Sequence, residues 1–167
     1  MELTLRKAGI EDFPEVCSMY GRAVESMHAQ GMDQWDAEYP SAVLLREDIE
    51  KGHMYLGILE GRIVSAVVLN EDHDIAYDQC RWLYEEETYP VVHRLCVDPD
   101  AQRGGVGLKT MELAEALLKK QGYRTVRLDA FSLNPPAVRL YERLGYNRSG
   151  AAARWRKGHF YLYEKRL

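Results

Sequence analysis

The chain has 167 residues, 46% of them hydrophobic, a formal net charge of -4 and three cysteines. This length allows one domain whose core needs neither disulfides nor a structural metal. No apolar run reaches the ~18 residues of a membrane span, and no polybasic block favours nucleic-acid binding. The opening residues do not resemble a secretory signal. We therefore expect one cytoplasmic domain, residues 1–167, with no membrane or nucleic-acid partner.

Hydrophobic periodicity predicts a single α+β unit with mixed strand directions, about seven strands and about four helices. The strands are predicted at residues 3–5, 54–59, 63–69, 91–97, 125–130, 146–155 and 159–166. The helices are predicted between residues 13 and 27, 41 and 52, 105 and 122, and 134 and 145. Ser41 and Asn134 are suited to cap helices, and Glu60 and Gly61 to form a hairpin turn. The irregular segment 71–87 allows a short helix around Trp82.

Residues 97–110, VDPDAQRGGVGLKT, place three glycines between a predicted strand and a predicted helix. Glycine amides at a helix N-terminus are suited to bind phosphate. A Walker A loop needs glycine immediately before lysine, but Leu108 separates Gly107 from Lys109. A dinucleotide-binding fingerprint needs glycine where Thr110 stands. Both classes are disfavoured, and a turn that only reverses the chain remains an alternative for the loop taken alone.

A third pattern, Gln/Arg-x-x-Gly-x-Gly/Ala, is satisfied by Gln102, Gly105 and Gly107, directly after a strand ending in LCVDP. Downstream, LNPPAVRLYERLGY fits Asn-x-x-Ala-x-x-Leu-Tyr-Glu-x-x-Gly-Phe/Tyr, from Asn134 to Tyr146. With these two motifs in order and a similar opening, LTLRKAGIED, the chain resembles the GNAT superfamily of acyl-CoA N-acyltransferases over nearly its whole length. The resemblance implies a GNAT-like α+β fold, with a central mixed, mostly antiparallel sheet of about seven strands flanked by about four helices.

The same resemblance implies direct transfer of an acetyl group from acetyl-CoA, as cosubstrate, to a primary amine of a small molecule, peptide or protein. Loop amides would bind the pyrophosphate, and the preceding strand would hold the pantetheine arm by its backbone. Tyr141 would protonate the leaving thiolate, although its helix position also suits a core tyrosine. The implied cofactor-binding residues are Leu95, Cys96, Val97, Gln102, Arg103, Gly104, Gly105, Val106, Gly107, Leu108, Lys109, Asn134 and Tyr141.

The amine must lose a proton before it attacks, because its pKa lies near ~10. Glu71, His93 or a bound water would accept that proton, while a hydrogen-bonded structural histidine is the alternative for His93. The cluster around Glu71, EDHD, matches no metal-ligand signature, so we expect no metal. Cys96 is expected to be a packed thiol rather than a nucleophile.

Residues 28–53 and 71–90 match the family pattern least, so the resemblance says least about the acceptor. Trp35 and Tyr39 are predicted to wall the acceptor pocket if they are exposed; a helix-anchoring tryptophan is the alternative. Tyr161 and Tyr163 alternate on one face of the last strand, which suits edge packing or a homodimer contact equally. A CoA-binding regulatory module without turnover is the main rival function, and the presence of Tyr141 argues against it.

Overall fold

A computed structural model of the chain describes residues 2–154 and 158–167. The strands are β1 (Thr4–Lys7), β2 (Met54–Leu59), β3 (Arg62–Asn70), β4 (Val91–Val97), β5 (Thr125–Phe131), β6 (Asn147–Arg154) and β7 (Gly158–Arg166). The helices are α1 (Phe13–Ala29), α2 (Ala42–Glu50), α3 (Ile75–Gln79), α4 (Val106–Lys120) and α5 (Pro135–Arg143). Short 3-10 turns occupy Ile10–Asp12 and Pro99–Ala101.

The seven strands form one sheet in the order β1-β2-β3-β4-β5-β7-β6. β2 runs antiparallel to β1 and β3, and β7 runs antiparallel to β5 and β6. β4 runs parallel to β5, with Val91 opposite Arg127 and Val92 opposite Leu128. The mixed, mostly antiparallel sheet of seven strands is thus confirmed. The predicted end of the sixth strand at Trp155 lies outside the described residues.

Local signals in the sequence set the ends of several elements. The Ser41 hydroxyl accepts a hydrogen bond from the Leu44 N–H at 3.1 Å, as an N-cap does. The Asn134 side chain accepts from the Ala137 N–H at 3.3 Å. Glu60 and Gly61 have φ of 51° and 75°, the left-handed pair of a two-residue hairpin turn. The predicted caps and hairpin turn are therefore confirmed.

The described residues contain five α-helices rather than about four, because the short helix α3 is added. It lies at Ile75–Gln79 and not around Trp82, since the Asp74 carboxylate caps it by accepting from the Ala76 N–H at 2.9 Å. Trp82 follows the helix, and its indole N–H donates to the Tyr77 carbonyl at 2.8 Å. The prediction of a helix around Trp82 was therefore wrong by one turn or more.

The chain divides into two compact units. The first unit contains Met1–Leu69 and Arg94–Ala114, and the second contains Asn70–His93 and Glu115–Leu167. In the first unit the core includes Val16, Met19, Leu45, Met54 and Leu56. In the second, one cluster includes Tyr77, Tyr89, Val91 and Leu162. That the chain forms a single folding domain stays a prediction.

Three further observations concern thiols, membrane spans and metals. Cys17, Cys80 and Cys96 are all free thiols. No helix in the described part of the chain is long and apolar enough to cross a membrane. Residues 2–154 and 158–167 contain no group of three or more His, Cys, Asp or Glu side chains placed to hold a metal ion.

Candidate functional site

The glycine-rich loop lies exposed in the first unit, between β4 and the N-terminus of α4. Arg103 and Gly105 have φ of 75° and 74°, so two left-handed residues flank Gly104. Such backbone turns can direct successive N–H groups into one concavity. The first N–H groups of α4 add to it, because a helix has no internal acceptor for them. A side chain added at Gly105 would meet no atom within 4 Å, so space for an anion is open there.

The N-terminus of α4 is fastened to the first unit by both apolar and polar contacts. Val106 is buried in a cluster with Leu3 and Val64. Thr110 lies one turn further along, where its hydroxyl donates to the Val106 carbonyl at 2.8 Å and lies 2.7 Å from the Ser65 hydroxyl. Because both hydroxyls are buried, they fix how α4 sits on β3. The first turn of α4, where the loop ends, is therefore held firmly on β3.

The segment between β4 and the loop is fixed by Asp98. Its carboxylate accepts from the Asp100 N–H at 3.1 Å and from Arg22 Nη2 of α1 at 2.6 Å. Burial acts to raise the Asp98 pKa, but these hydrogen bonds outweigh it and hold the pKa below its usual value. The side chain of Gln102 donates to the Val97 carbonyl at 3.2 Å, which joins the loop to the end of β4.

Two cations accompany the loop at the surface. Arg103 and Lys109 are exposed, and Lys109 Nζ lies 3.4 Å from the Glu112 carboxylate. A pair at that distance in solvent contributes little energy. Both cations can therefore turn toward an anion held by the loop amides.

The strand before the loop, β4, contains one left-handed residue, Arg94, whose φ is 50°. A regular strand would place His93 on one face with Leu95 and Val97, but that geometry does not continue through Arg94. Cys96 is 2% exposed, and burial raises the pKa of its thiol well above its usual value. A neutral, packed thiol is a poor nucleophile, which agrees with the expectation for Cys96.

In the second unit, Tyr141 lies on α5 and is 7% exposed. Its ring contacts those of Tyr146 and Tyr163, with centroids 5.8 and 6.2 Å away. Burial raises the pKa of its phenol, and the negative charge of Asp129 raises it further. Tyr141 therefore holds its proton at neutral pH. Its position is that of a core tyrosine, and a chemical role for its phenol stays a prediction.

The two predicted bases also lie in the second unit, and each has a partner. The Glu71 carboxylate is exposed and accepts from the Tyr123 hydroxyl at 2.7 Å, a bond that raises the Tyr123 pKa. His93 is half-buried, with its Nε2 2.8 Å from Oδ1 of Asn70. Because an amide oxygen can only accept, Nε2 is the donor in this contact.

Asp129 is a candidate that the sequence analysis missed. It lies half-buried on β5 and accepts from the Tyr77 hydroxyl of α3 at 2.7 Å. Its charge acts on the Tyr141 phenol, so it lies close to the proposed acid. The available signal was a single carboxylate inside the otherwise mostly apolar strand TVRLDAF.

Trp35 is buried, which agrees with the alternative of a helix-anchoring tryptophan. Its side chain is 7% exposed and packs in the first unit's core, with its ring 5.6 Å from that of Tyr20. His28 of α1 donates from Nε2 to the Trp35 carbonyl at 2.8 Å. Trp35 thus anchors the connector to α1, as the alternative required, because an indole this large buries more area against a helix than a loop surface offers. Tyr39 is half-buried, and its hydroxyl accepts from Arg94 Nη1 at 3.3 Å.

The predicted site residues therefore separate by unit. The first unit holds Trp35, Tyr39, the β4 residues 95–97 and the loop residues 102–109. The second holds Glu71, His93, Asn134 and Tyr141.

Residues 18–146 match the model of the Acetyltransferase (GNAT) family. S-(2-succino)cysteine N-acetyltransferase of Bacillus subtilis (strain 168) is 26% identical over 170 residues, covering 99% of this chain and 96% of that protein. Mycothiol acetyltransferase of Actinosynnema mirum is 48% identical over 64 residues, covering 38% of this chain; the chain spans about a fifth of that relative's length, 21%.

The fold agrees with a crystal structure of a GNAT-family acetyltransferase from Streptococcus agalactiae 2603. The TM-score is 0.87 at 20% sequence identity, covering 99% of this chain and 95% of that chain. The family match extends from α1 to the end of the α5 motif, and therefore includes both the glycine-rich loop and Tyr141. The chain accordingly belongs to the GNAT family of acetyltransferases and is an N-acetyltransferase, an enzyme class that takes its acetyl group from acetyl-CoA.

Proposed function

We propose that the protein acetylates the primary amine of a small amino-acid derivative, and that the residues described above divide the work. The observation that supports acetyl-CoA binding is the exposed loop 102–105 at the N-terminus of α4, which contains two left-handed residues. The choice of acceptor is supported by similarity, over nearly the whole chain, to a relative named for an S-substituted cysteine. A peptide or protein amine is the alternative acceptor.

Acetyl-CoA, when bound, supplies a thioester whose carbonyl carbon accepts the amine nitrogen and whose carbon–sulfur bond then breaks. The backbone amides of residues 103–108 bind the pyrophosphate, helped by the partial positive charge of the helix terminus. Arg103 and Lys109 add attraction that salt can screen. The backbone of Leu95 and Val97 orients the pantetheine arm, and a backbone N–H polarises the thioester carbonyl.

Tyr141 acts at the departing sulfur. A thiol has a pKa near ~8.5, well below that of a phenol whose pKa burial has raised. Full proton transfer to a free thiolate would be uphill, so the phenol acts by donating a hydrogen bond as charge develops on sulfur. The sulfur leaves as a thiolate held by this hydrogen bond and takes a proton from solvent to form CoA-SH, while the base returns the amine proton to solvent.

Glu71, His93 and Asp129 are the side chains proposed to accept the amine proton, directly or through water. Asp129 has the strongest support, because its charge reaches Tyr141 and its second-unit partner Tyr77 is buried. Glu71 is exposed and bonded to Tyr123, which leaves it more suited to attract a cationic amine than to accept its proton.

The test measures CoA-SH release from acetyl-CoA with a panel containing S-(2-succino)cysteine, free amino acids, polyamines and peptides with free N-termini. We expect release with the amino-acid derivatives, and a fall in kcat of about 100-fold in Tyr141→Phe with little change in KM. Tyr161→Phe is the matched control, since that tyrosine is half-buried and its ring packs against Tyr163 and Arg148.

Release that is equal in Tyr141→Phe and the control would contradict the role of Tyr141. Tight acetyl-CoA binding without release for any amine would support the rival CoA-binding module. To assign the base, Asp129→Asn, Glu71→Gln and His93→Gln are compared by the pH profile of kcat/KM. Only the variant that lacks the base should lose the rise of kcat/KM with increasing pH.

A further inference from the structure

Arg94 adopts a backbone conformation that a strand does not require. Its φ of 50° lies in the left-handed region, in the middle of β4. For a residue other than glycine this conformation is unfavourable, so it persists only where surrounding contacts impose it. The contacts that impose it here come from α1, α2 and the connector between them.

Four hydrogen bonds hold Arg94 on both its backbone and its side chain. The Tyr20 hydroxyl of α1 donates to the Arg94 carbonyl at 2.5 Å. The guanidinium donates to both carboxylate oxygens of Asp48 on α2, from Nε at 2.9 Å and from Nη2 at 2.8 Å. Nη1 donates to the Tyr39 hydroxyl at 3.3 Å. The planar fork fixes direction as well as distance.

This arrangement is buried. The side chains of Arg94 and Asp48 are 10% and 5% exposed, and Tyr20 is 2% exposed. Burial raises the Asp48 pKa, while the guanidinium acts against that rise. A buried ion pair gives little net stability over an apolar pair of similar size. The pair is therefore better explained by the geometry that it imposes on β4 than by the stability that it adds.

The geometry matters for the residues that follow. Arg94 immediately precedes Leu95, Cys96 and Val97, and its carbonyl is engaged by Tyr20. The direction in which the strand leaves Arg94 sets where the N–H and C=O groups of the next three residues point. Removing the Tyr20 hydroxyl would release the carbonyl without removing the ring that packs on Trp35.

We propose that Arg94, held by Tyr20 and Asp48, is a positioning residue that aims the β4 backbone at the pantetheine arm of acetyl-CoA. This inference rests on the proposed function, because that function assigns the arm to residues 95–97. The inference predicts that two parts of acetyl-CoA depend on different residues of the protein. The pyrophosphate binds at the loop, where Val106 and Thr110 hold the start of α4, whereas the arm binds along the strand residues that follow Arg94.

The experiment compares two ligands by calorimetry: acetyl-CoA, and the phosphoadenosine diphosphate fragment of CoA, which lacks the arm. In Tyr20→Phe we expect the Kd of acetyl-CoA to rise about fivefold and that of the fragment to change less than about twofold, from the loss of one hydrogen bond. Arg94→Lys, which keeps the charge and loses the fork, should act in the same direction. Tyr55→Phe is the control, since Tyr55 lies half-buried on β2, away from this network, with its ring beneath Lys7.

Equal weakening of both ligands would overturn the inference, since it would mean a general structural defect. So would an unchanged acetyl-CoA Kd in Tyr20→Phe and Arg94→Lys. Failure of the wild type to bind either ligand would instead contradict the proposed function from which the inference starts. Circular dichroism of each variant identifies any that does not fold, and the remaining variant then decides.

Discussion

Replacing Thr110 by valine tests how α4 is fixed beneath the anion-binding loop. The Thr110 hydroxyl donates to the Val106 carbonyl, so the Ser65 hydroxyl donates to Thr110 across 2.7 Å. Both side chains are fully buried. Valine preserves the shape of threonine but leaves the Ser65 hydroxyl without its acceptor. The helix stays in place, and the free energy of unfolding falls.

The size of the stability loss depends on whether one hydrogen-bond partner is removed or both are. A buried hydroxyl left unpaired costs about 1–3 kcal/mol, so we expect Thr110→Val to lose about 2 kcal/mol. Ser65→Ala should lose about 1 kcal/mol, since Thr110 keeps Val106. The double variant has no unpaired Ser65 hydroxyl and should lose no more than Thr110→Val, which corresponds to a coupling of about 1 kcal/mol. A loss of 2 kcal/mol lowers Tm by about 4–8 °C in a chain of this size.

The assay is urea unfolding of the wild type, both single variants and the double variant, followed by circular dichroism. Thr125→Val is the matched control, because the Thr125 hydroxyl is buried without a hydrogen-bond partner in the part of the chain that the structure describes. That change should be neutral or stabilising. Additive losses at Ser65 and Thr110, or an equal loss in the control, would refute the reasoning.

Three other predictions follow from exposure, ion pairing and burial. Arg103→Ala should raise the KM for acetyl-CoA about threefold and weaken its dependence on salt, with kcat unchanged, as steady-state kinetics in increasing KCl will show. Asp12 accepts from Arg6 at 2.7 and 2.8 Å, which lowers the Asp12 pKa. Its stabilisation is present above the ordinary carboxyl pKa and lost as pH falls through the lower folded value. Urea unfolding of Asp12→Asn should therefore show lower stability at pH 7 and a shallower fall from about pH 4 downward. Cys96 should react with a thiol reagent only on unfolding, and mass spectrometry should find the other two cysteines labelled first.

Much of the fold was predictable because its signals are local. Ser41 and Asn134 cap helices within three residues of themselves, and Glu60 with Gly61 forms a turn from two adjacent residues. The short helix α3 obeys the same rule, since Asp74 caps it, and was placed near Trp82 only because that local signal was overlooked. Boundaries set by neighbours in the chain can be read from the chain.

The features that were missed depend on residues far apart in sequence. Tyr20 and Arg94 are 74 positions apart, and Tyr77 and Asp129 are 52 apart. Periodicity assigned Arg94 to an ordinary extended position, because it contains no information on which donors reach its carbonyl. Trp35 stands in a turn-rich connector, and only the position of Tyr20 on α1 shows that its ring is buried.

The same distinction explains why the sequence identifies the cofactor better than the acceptor. Pyrophosphate binding through backbone amides requires only that the chain reach left-handed φ at a helix start, and glycine at 105 supplies this locally. Acceptor choice depends on side chains that come from separate segments of the chain, and no spacing rule joins them. Two GNAT enzymes can therefore share the loop and differ in acceptor, so the amine panel carries more information about this protein than further study of its glycines.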